Sequence, residues 1–423
     1  MLDIAYIKKH LKEVKENIKN RGLDIDLDNF LKLNEERINL IQEVDSLRSK
    51  KNKIKDKPTA EELKKLKTSK EKEEKISSKL EKIENELREL ILKIPNMTHP
   101  DVVISSNEED NPVLETYKKP TRFDFQPRDH LELAEKLDLI DFERAAKISG
   151  NKFYYLKNDL AILEFALIQY ALEIAIKHGY TPFSTPDLAR QEVLEGLGYN
   201  PRGESTQVYN IENSDLCLIG TAEITMGGYH MNEVLKEEEL PRKYVAVSHC
   251  FRTEAGSYSK FSKGIFRVHQ FTKVEMFQYT TPEASEEAHQ EILETEKELF
   301  KSLDIPFRVI DHCTADLGTP AYRTFDLEAW MPGKPNKKNS LGDWAEVTST
   351  SNCTDYQARG LNIKYRKKNG EKRYVHTLNG TAIAIGRTLI AILENNQQKD
   401  GSVIIPRVLQ KWISKRKIEE GGK

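Results

Sequence analysis

Residues 250–277 bring together the side chains best suited to bind a charged substrate. Arg252 and Glu254 stand at the end of one strand-like segment, and Arg267 and Glu275 lie in a second segment beyond a loop rich in Gly, Ser and Lys. Two such segments joined by a loop form a hairpin, so the four side chains could converge on one face. Arginine donates paired hydrogen bonds to phosphate or carboxylate. The segment predicts an anion-binding site, with a charged surface hairpin as the alternative.

Several common catalytic patterns are missing from the sequence. It contains no G-x-x-x-x-G-K-[ST] loop, no H-E-x-x-H helix and no G-x-S-x-G elbow, so phosphate-loop, zinc-protease and serine-hydrolase interpretations have no support. The four cysteines, at positions 217, 250, 313 and 353, form no C-x-x-C pair. We therefore expect no zinc site and four reduced, small apolar side chains.

The elements that must position these residues fall into two domains, and the first is helical. Residues 1–97 contain one glycine and two prolines, and apolar residues recur at alternating spacings of three and four, the pattern of helices packed along a narrow stripe. Asp3 can cap a first helix and Gly22 can end it. We predict an antiparallel, coiled-coil-like hairpin over about residues 27–95, with a break at Lys57-Pro58-Thr59. Its seam positions are Phe30, Leu33, Arg37, Leu40, Val44, Leu47, Lys51, Ile54, Ile76, Leu80, Ile83, Leu87, Leu90 and Ile94.

Charge is divided unevenly along the 423 residues. The 66 Lys/Arg and 68 Asp/Glu leave a net charge of −2, which argues against a chain that binds nucleic acid over its whole surface. Residues 47–79, however, hold 13 basic and 6 acidic side chains, and they span the predicted end of the hairpin. The sequence predicts a cationic tip that could meet phosphates, with a solvated helix face as the alternative.

The second domain is predicted to be α+β. Residues 101–130 are polar and irregular, which indicates a linker and domain entry, and residues 131–423 follow as the domain that contains the candidate anion-binding site. A helix at about 160–178 ends at Gly179, and strand-like segments lie at 243–249, 266–271, 274–279, 307–311, 322–330 and 345–350. These segments lack the strand-helix alternation of a parallel sheet, so we predict a mainly antiparallel sheet flanked by helices. A mean hydropathy of −0.63 and an N-terminus without an apolar leader favour a cytoplasmic protein without a membrane span.

With these features in place, the chain resembles a class II aminoacyl-tRNA synthetase over essentially its whole length. The three class motifs are matched by GYTPFSTP at 179–186, by FRTE at 251–254 with RVHQF at 267–271, and by GRTLI at 386–390. Motif 1 of this class implies a homodimer. More specifically, the chain is similar to the seryl-tRNA synthetase family in TAE at 221–223, EVTS at 346–349, NCTDYQ at 352–357 and LNGT at 378–381, and its N-terminal hairpin resembles that family's tRNA-binding arm.

The resemblance implies roles for sixteen residues. Those expected to bind ATP are Arg252, Thr253, Glu254, Val268, Phe271, Glu346, Val347, Thr348, Ser349 and Arg387, with Arg252 on the α-phosphate and Arg387 on the γ-phosphate as the catalytic cations. Glu254 and Phe271 would hold and stack the adenine, and the oxygen donors of Glu346 and Ser349 would ligate Mg²⁺. Serine would be bound by Thr221, Ala222, Glu223, Arg267, Glu275 and Thr381, with Arg267 on the carboxylate and Glu275 and Thr381 near the hydroxyl.

The implied reaction is ATP-dependent activation of L-serine to seryl-adenylate, followed by transfer to tRNA(Ser) and also to tRNA(Sec). Four positions depart from the family pattern: Thr381-Ala382 replaces Ser-Gly, Arg323 stands where lysine is more usual, and Gly360 follows Arg359 where a second arginine is common. Two other functions stay open. One is an AMP-forming ligase that charges a carrier protein, which the basic hairpin opposes, and the other is a non-catalytic RNA-binding paralogue, which the intact Arg252 and Arg387 oppose.

Overall fold

A computed structural model describes residues 1–52, 60–200, 206–256, 261–338 and 340–420. The chain divides into two compact units, Met1–Pro95 and Asn96–Lys423. No helix among the described residues is long and apolar enough to cross a membrane.

The described residues form thirteen α-helices and seventeen strands. The helices are α1 (Ile4–Lys9), α2 (Leu11–Asn20), α3 (Leu27–Asn52), α4 (Ala60–Lys93), α5 (His130–Lys136), α6 (Phe142–Ser149), α7 (Asn158–Lys177), α8 (Gln191–Leu197), α9 (Glu223–Gly228), α10 (Ser285–Ser302), α11 (Tyr356–Gly360), α12 (Ile385–Asn395) and α13 (Gln410–Ile413). The strands are β1 (Val113–Tyr117), β2 (Ile140–Asp141), β3 (Tyr155–Leu156), β4 (Thr181–Ser184), β5 (Leu188–Arg190), β6 (Leu216–Leu218), β7 (Val234–Lys236), β8 (Arg242–Phe251), β9 (Gln270–Thr280), β10 (Phe307–Asp311), β11 (Arg323–Pro335), β12 (Leu341–Asn352), β13 (Lys364–Arg366), β14 (Lys372–Tyr374), β15 (His376–Ala384), β16 (Val403–Ile404) and β17 (Lys417–Ile418). Short 3-10 turns lie at Glu108–Asp110, Glu237–Glu239, Pro282–Ala284 and Arg407–Leu409.

The start of the first unit contains two helices where the apolar spacing predicts one. Asp3 caps α1 as expected, because its carboxylate accepts hydrogen bonds from the backbone N–H groups of Ala5 and Tyr6 at 2.7 and 3.1 Å. His10 then leaves the helical conformation, with φ −116° and ψ 34°, and α2 begins after it. Apolar spacing does not reveal this break, since the same face continues to be buried at Ile7 and Val14.

Helices α3 and α4 form the predicted antiparallel hairpin. Every seam position whose side chain is described is buried or half-buried. Two ion pairs cross the seam, Arg37 to Glu84 at 3.0 Å and Arg48 to Glu73 at 2.8 Å. Because the glutamate number falls along α4 as the arginine number rises along α3, the two helices are antiparallel. The predicted break at residues 57–59 and the seam position Ile54 lie outside the described residues, as does the side chain of Lys51.

The second unit is built on an eight-stranded sheet in the order β1-β10-β11-β12-β15-β9-β8-β4. Every neighbouring pair is antiparallel except β4 and β8, which confirms the predicted α+β fold with a mainly antiparallel sheet. Helices α7, α10 and α12 pack on this sheet and share one apolar core that includes Leu163, Ile292 and Leu389. Burial of such side chains is worth roughly 1.5–3 kcal/mol each and holds the central strands in place.

Two local predictions differ from the structure. Residues 101–130, expected to form an irregular linker, include β1, which pairs with β10 at one edge of the sheet. The segment 266–271, expected to be a strand, joins the sheet only from Gln270 onward, where β9 begins opposite Phe251. Residues 266–269 instead form bends that lead into the strand, and alternating apolar residues do not distinguish such a bend from an extended strand.

Candidate active site

Most of the predicted site residues line one cavity of about 440 Å³ in the second unit. This volume suits a small-molecule ligand. Its walls come from β9, β11, β12, β15 and the start of α12, together with the segment that follows β8 and those that precede α9 and β11. The predicted residues that line it are Arg252, Glu254, Val268, Phe271, Glu346, Val347, Thr348, Ser349, Arg387, Thr221, Glu223, Arg267, Glu275 and Thr381.

Thr253 and Ala222 do not line the cavity. The hydroxyl of Thr253 donates to the carbonyl of Thr206 at 2.6 Å, so it ties the end of β8 to a neighbouring segment. Ala222 is fully buried, and its carbonyl accepts a hydrogen bond from the Thr225 hydroxyl at 3.1 Å. Both residues support the backbone beside the cavity and present no side chain to it.

The hairpin of β8 and β9 places the first group of charged residues. The strands pair up to Phe251 and Gln270, and Glu254 then adopts φ 53°, a left-handed conformation that is uncommon for residues other than glycine. Arg267 Nη1 lies 3.4 Å from Glu254 Oε2 across the mouth of the hairpin. The four charged residues singled out at the start, including Glu275 of β9, therefore converge on one cavity.

Arg252 is held at the cavity wall by two contacts. Its Nε donates to the carbonyl of Gly220 at 3.3 Å, and its guanidinium lies 5.4 Å from the centre of the Phe271 ring. Both side chains line the cavity, so Phe271 could stack on a flat ring of a ligand while the adjacent Arg252 binds its phosphate.

Arg267 has an unused donor. Its Nε is buried and has no hydrogen-bond partner among the described residues. A buried polar group without a partner costs free energy, and such groups are uncommon unless a ligand or water satisfies them. The cavity therefore has a guanidinium ready for an anionic group such as a carboxylate.

A bulge in β12 brings Glu346 and Ser349 to the same cavity. Leu327 pairs with Thr348 but the next residue, Glu328, pairs with Glu346, so Val347 is an extra residue in β12. In a regular strand Glu346 and Ser349 would point to opposite faces of the sheet. The bulge breaks that alternation, and both residues line the cavity.

Arg387 of α12 is paired with Glu346. Its Nη1 lies 3.0 Å from Glu346 Oε2 and also donates to the Glu346 carbonyl at 3.0 Å, while the guanidinium packs over the Phe266 ring at 4.8 Å. Burial would raise the pKa of Glu346, but the positive charges of Arg387 and Arg252 outweigh it and lower that pKa to about 2. The Glu346 carboxylate is therefore ionised at neutral pH.

A second cluster joins Glu275, Lys273 and Thr381, all of them buried. Lys273 Nζ lies 2.5 Å from Glu275 Oε2, and the Thr381 hydroxyl donates to the same oxygen at 3.2 Å. Burial raises the pKa of Glu275, and the Lys273 ammonium opposes that rise. The cluster offers a carboxylate and a hydroxyl to a small polar ligand.

Sequence reasoning did not name several charged or polar residues of the cavity as binding residues, among them Tyr199, Lys273, His312, Asp316 and Asn379. Lys273 lies two residues before Glu275 on the same face of β9, but it falls between the two predicted strand segments, 266–271 and 274–279, so the prediction did not place it beside Glu275. His312 had no signal in the local sequence, because it is paired with Asp326 of a different strand, at 3.0 Å from Nε2 to Oδ2. Burial lowers the pKa of His312, but the carboxylates of Asp326 and Asp316 outweigh it and raise that pKa to about 10.

Comparison with known proteins supports the resemblance inferred from the motifs. The family model described as seryl-tRNA synthetase N-terminal domain matches residues 1–98, and the model of the tRNA synthetase class II core domain (G, H, P, S and T) matches residues 207–396. Serine–tRNA ligases of Treponema denticola and Dictyoglomus thermophilum are 50% and 49% identical, and the matches cover 97% and 99% of this chain and 98% and 99% of those proteins.

Solved structures give the same result. Seryl-tRNA synthetase from Pyrococcus horikoshii, complexed with ATP, matches with a TM-score of 0.84 and 39% identity over 100% of both chains. The cytoplasmic serine–tRNA ligase of Naegleria fowleri, in complex with AMP, matches with a TM-score of 0.82 and 31% identity over 99% of this chain and 97% of that one. Identity at this level over whole chains confirms the resemblance, and the chain belongs to the seryl-tRNA synthetase family.

Proposed function

We propose that the chain is a serine–tRNA ligase that activates L-serine with ATP and then transfers the seryl group to tRNA(Ser). The observation that carries this proposal is the convergence of Arg252, Arg267 and Arg387 with two carboxylates, Glu223 and Glu275, in one cavity. A zwitterionic amino acid and a polyphosphate both need such a mixture of fixed charges. Full-length relatives named serine–tRNA ligase support the same conclusion.

The first step joins serine to AMP. The serine carboxylate attacks the α-phosphorus of ATP in line and displaces pyrophosphate. Arg252 neutralises charge at the α-phosphate, and Arg387 holds the γ-phosphate end of the leaving group. The protein supplies orientation and charge stabilisation in this step and no nucleophile of its own. The terminal ribose hydroxyl of tRNA then takes the seryl group from the adenylate.

Magnesium fits the residues beside Arg387. Glu346 offers an ionised carboxylate that is 46% exposed at the cavity, and Ser349 offers a hydroxyl three residues away on the same bulged strand. No cluster of three or more His, Cys, Asp or Glu suited to a metal occurs in the described part of the chain. Mg²⁺ commonly binds through one or two protein oxygens together with substrate phosphates, so Glu346 and Ser349 would hold it and it would neutralise phosphate charge.

Serine is recognised through its three polar groups. Arg267 receives the carboxylate through its unused Nε, Glu223 receives the α-ammonium, and Glu275 with Thr381 receives the hydroxyl. Alanine has no hydroxyl, so it would bury Glu275 and Thr381 without supplying the additional hydrogen bond that serine offers them. A site of this kind rejects the analogue that lacks the hydrogen-bonding group far more strongly than a purely apolar pocket does.

Pyrophosphate exchange tests the proposal. We expect ATP–pyrophosphate exchange that depends on serine, with alanine weaker on the order of 10⁴-fold. Threonine should fail as well, because its methyl group needs room that serine does not. The measurement is incorporation of labelled pyrophosphate into ATP with each amino acid in turn. Exchange with threonine or proline and none with serine would contradict the proposal.

The N-terminal unit is the part of the chain proposed to bind tRNA. Its family model is that of the seryl-tRNA synthetase N-terminal domain, and its α4 carries exposed lysines at positions 67, 70 and 75. These cations can meet the phosphate backbone, and double-helical RNA is recognised mainly through shape and backbone. Transfer to tRNA(Sec) and a cytoplasmic location remain predictions. The carrier ligase and the RNA-binding paralogue are not favoured by these matches.

A homodimer is proposed from an exposed apolar stripe on α7. One face of this helix is buried in the core, while Ile162, Phe165 and Ile176 on another face are exposed by 47%, 67% and 49%. These three, with Gln169 and Leu172, recur at spacings of three and four along the helix. An exposed apolar stripe beside β4 at the edge of the sheet is suited to a second copy of the chain.

Phe165→Asp is expected to convert the dimer to a monomer, because association would bury an unpaired carboxylate in the apolar interface. Light scattering should give twice the chain mass of 48.7 kDa for the native protein and the chain mass for the variant. Ile404→Asp, at an exposed apolar residue of β16, is the matched control and should stay dimeric. A native monomer would refute the dimer proposal.

A further inference from the structure

The carboxylate of Glu223 is held by two donors that lie outside the predicted serine-binding set. The Tyr199 hydroxyl donates to Glu223 Oε2 at 2.6 Å, and Gln357 Nε2 donates to Glu223 Oε1 at 2.7 Å. Glu223 is buried, and it lines the cavity together with Tyr199. Because each oxygen already accepts one hydrogen bond, the plane of the carboxylate is fixed and its remaining lone pairs are available to a ligand.

A buried chain of hydrogen bonds sets the orientation of Gln357. The Thr377 hydroxyl donates to Gln357 Oε1 at 2.8 Å, which assigns the amide nitrogen to the side of Glu223. Gln357 and Thr377 are both fully buried. Turning the amide away from Glu223 would leave buried donors and acceptors unpaired, so the network resists that movement.

Tyr199 is suited to act as a permanent donor. Burial and the neighbouring charge of Glu223 raise the pKa of Tyr199 well above its ordinary value. The hydroxyl therefore keeps its proton at every pH at which the enzyme would work. A hydrogen bond from a neutral hydroxyl to an ionised carboxylate is among the stronger kinds in proteins.

A close contact between two short helices places both donors. The backbone of α8 meets that of α11 at Gly196 and Gly360, where a Cβ on Gly360 would lie 1.9 Å from the Gly196 carbonyl oxygen. Gln357 lies on α11, and Tyr199 follows Gly198, which ends α8 with φ 93°. Gly360 is one of the positions at which this chain departs from the family pattern, which commonly has arginine there. In this chain the contact between α8 and α11 leaves no room for a side chain at that position.

We infer that Tyr199 and Gln357 are positioning residues that fix the Glu223 carboxylate for the α-ammonium group of serine. This inference rests on the proposed function, in which Glu223 contacts that ammonium group. Each donor is hydrogen-bonded to Glu223, so we expect its effect to pass through that carboxylate. Both should govern how tightly serine binds and leave the ATP side of the cavity unchanged.

Tyr199→Phe tests the inference, because it removes one hydroxyl and keeps the ring. In serine-dependent pyrophosphate exchange we expect the KM for serine to rise about 10- to 100-fold, since hydrogen bonds to charged groups are the stronger class. The KM for ATP and kcat should stay within about threefold. Tyr170→Phe is the matched control, because it also removes a buried tyrosine hydroxyl, one that is bonded to Ser302 outside the cavity. It should keep native constants.

A second variant guards against a purely structural effect. Gln357→Met removes the other donor and should raise the KM for serine in the same direction. A native KM for serine in Tyr199→Phe, with native exchange intact, would overturn the inference and leave the proposed function standing. Equal losses for serine and ATP, together with a lower melting temperature, would also overturn it, because they would show a general role in folding. Absence of serine-dependent exchange in the native protein would refute the proposed function itself.

Discussion

Arg252→Ala is expected to reduce serine-dependent pyrophosphate exchange by on the order of 10³-fold or more while the protein stays folded. The guanidinium meets the phosphate at which the bond forms, and alanine leaves that charge without a partner. The loss of stability should be small, since the side chain lies at the cavity wall, where it donates a hydrogen bond to the Gly220 carbonyl and packs against the Phe271 ring. Exchange kinetics and a thermal melt on the same preparation check both halves of the prediction.

Two further variants sharpen this result. Arg252→Lys keeps the charge but loses the planar fork, so it should recover only part of the activity. Arg242→Ala is the matched control, because it removes an arginine from the other end of the same strand, where the side chain pairs with Glu239 at 3.5 Å. It should exchange like the native protein. Native activity in Arg252→Ala would remove that residue from the phosphate-binding role.

The triple variant Lys67→Glu, Lys70→Glu and Lys75→Glu is expected to impair tRNA charging and to leave pyrophosphate exchange intact. All three lysines are exposed on α4 within the described residues. Reversing their charge removes phosphate contacts, so the KM for tRNA should rise on the order of 10- to 100-fold. The slope of log KM for tRNA against the logarithm of the salt concentration should become shallower by about 0.7 to 0.9 per lost contact. Aminoacylation measured over a range of salt concentrations checks both values.

A charge-matched control separates this effect from net charge. Lys338, Lys368 and Lys372 are exposed on the second unit, and their replacement by glutamate changes the total charge of the chain by the same amount. That control should keep the native KM for tRNA. If both triple variants weakened charging equally, the α4 lysines would hold no special place in tRNA binding. If exchange fell together with charging in the α4 variant, the two units would not have separate roles.

The long helices and the sheet type were predictable because they depend on local patterns. The alternation of three and four residues located the seam that buries Phe30, Val44 and Ile83, and short strand-like segments without helical alternation indicated an antiparallel sheet. The break at His10 was not predictable, since the apolar face is the same on both sides of it. The edge strand β1 was not predictable either, because its five residues show no alternation of apolar and polar side chains, and its apolar residues Val113 and Leu114 are exposed.

The candidate site was predictable to the extent that it lies in continuous motifs. The structure brings fourteen of the sixteen residues named from those motifs to one cavity. The bulge that brings Glu346 and Ser349 to the same side depends on the register of β12 against β11, which the local sequence of β12 does not reveal. Tyr199 and His312 were missed because their partners, Glu223 and Asp326, are 24 and 14 positions away and reach them only through the fold.

Aminoacylation of tRNA(Ser) with labelled serine is the most direct test of the proposed ligase. We expect acid-precipitable seryl-tRNA to accumulate with ATP and magnesium and to be absent without ATP or with a tRNA specific for another amino acid. Adding a carrier protein with a free thiol to the same reaction should yield no seryl-thioester. Serine-dependent exchange without any seryl-tRNA, and with a loaded carrier thiol instead, would contradict the assignment of this chain as a serine–tRNA ligase.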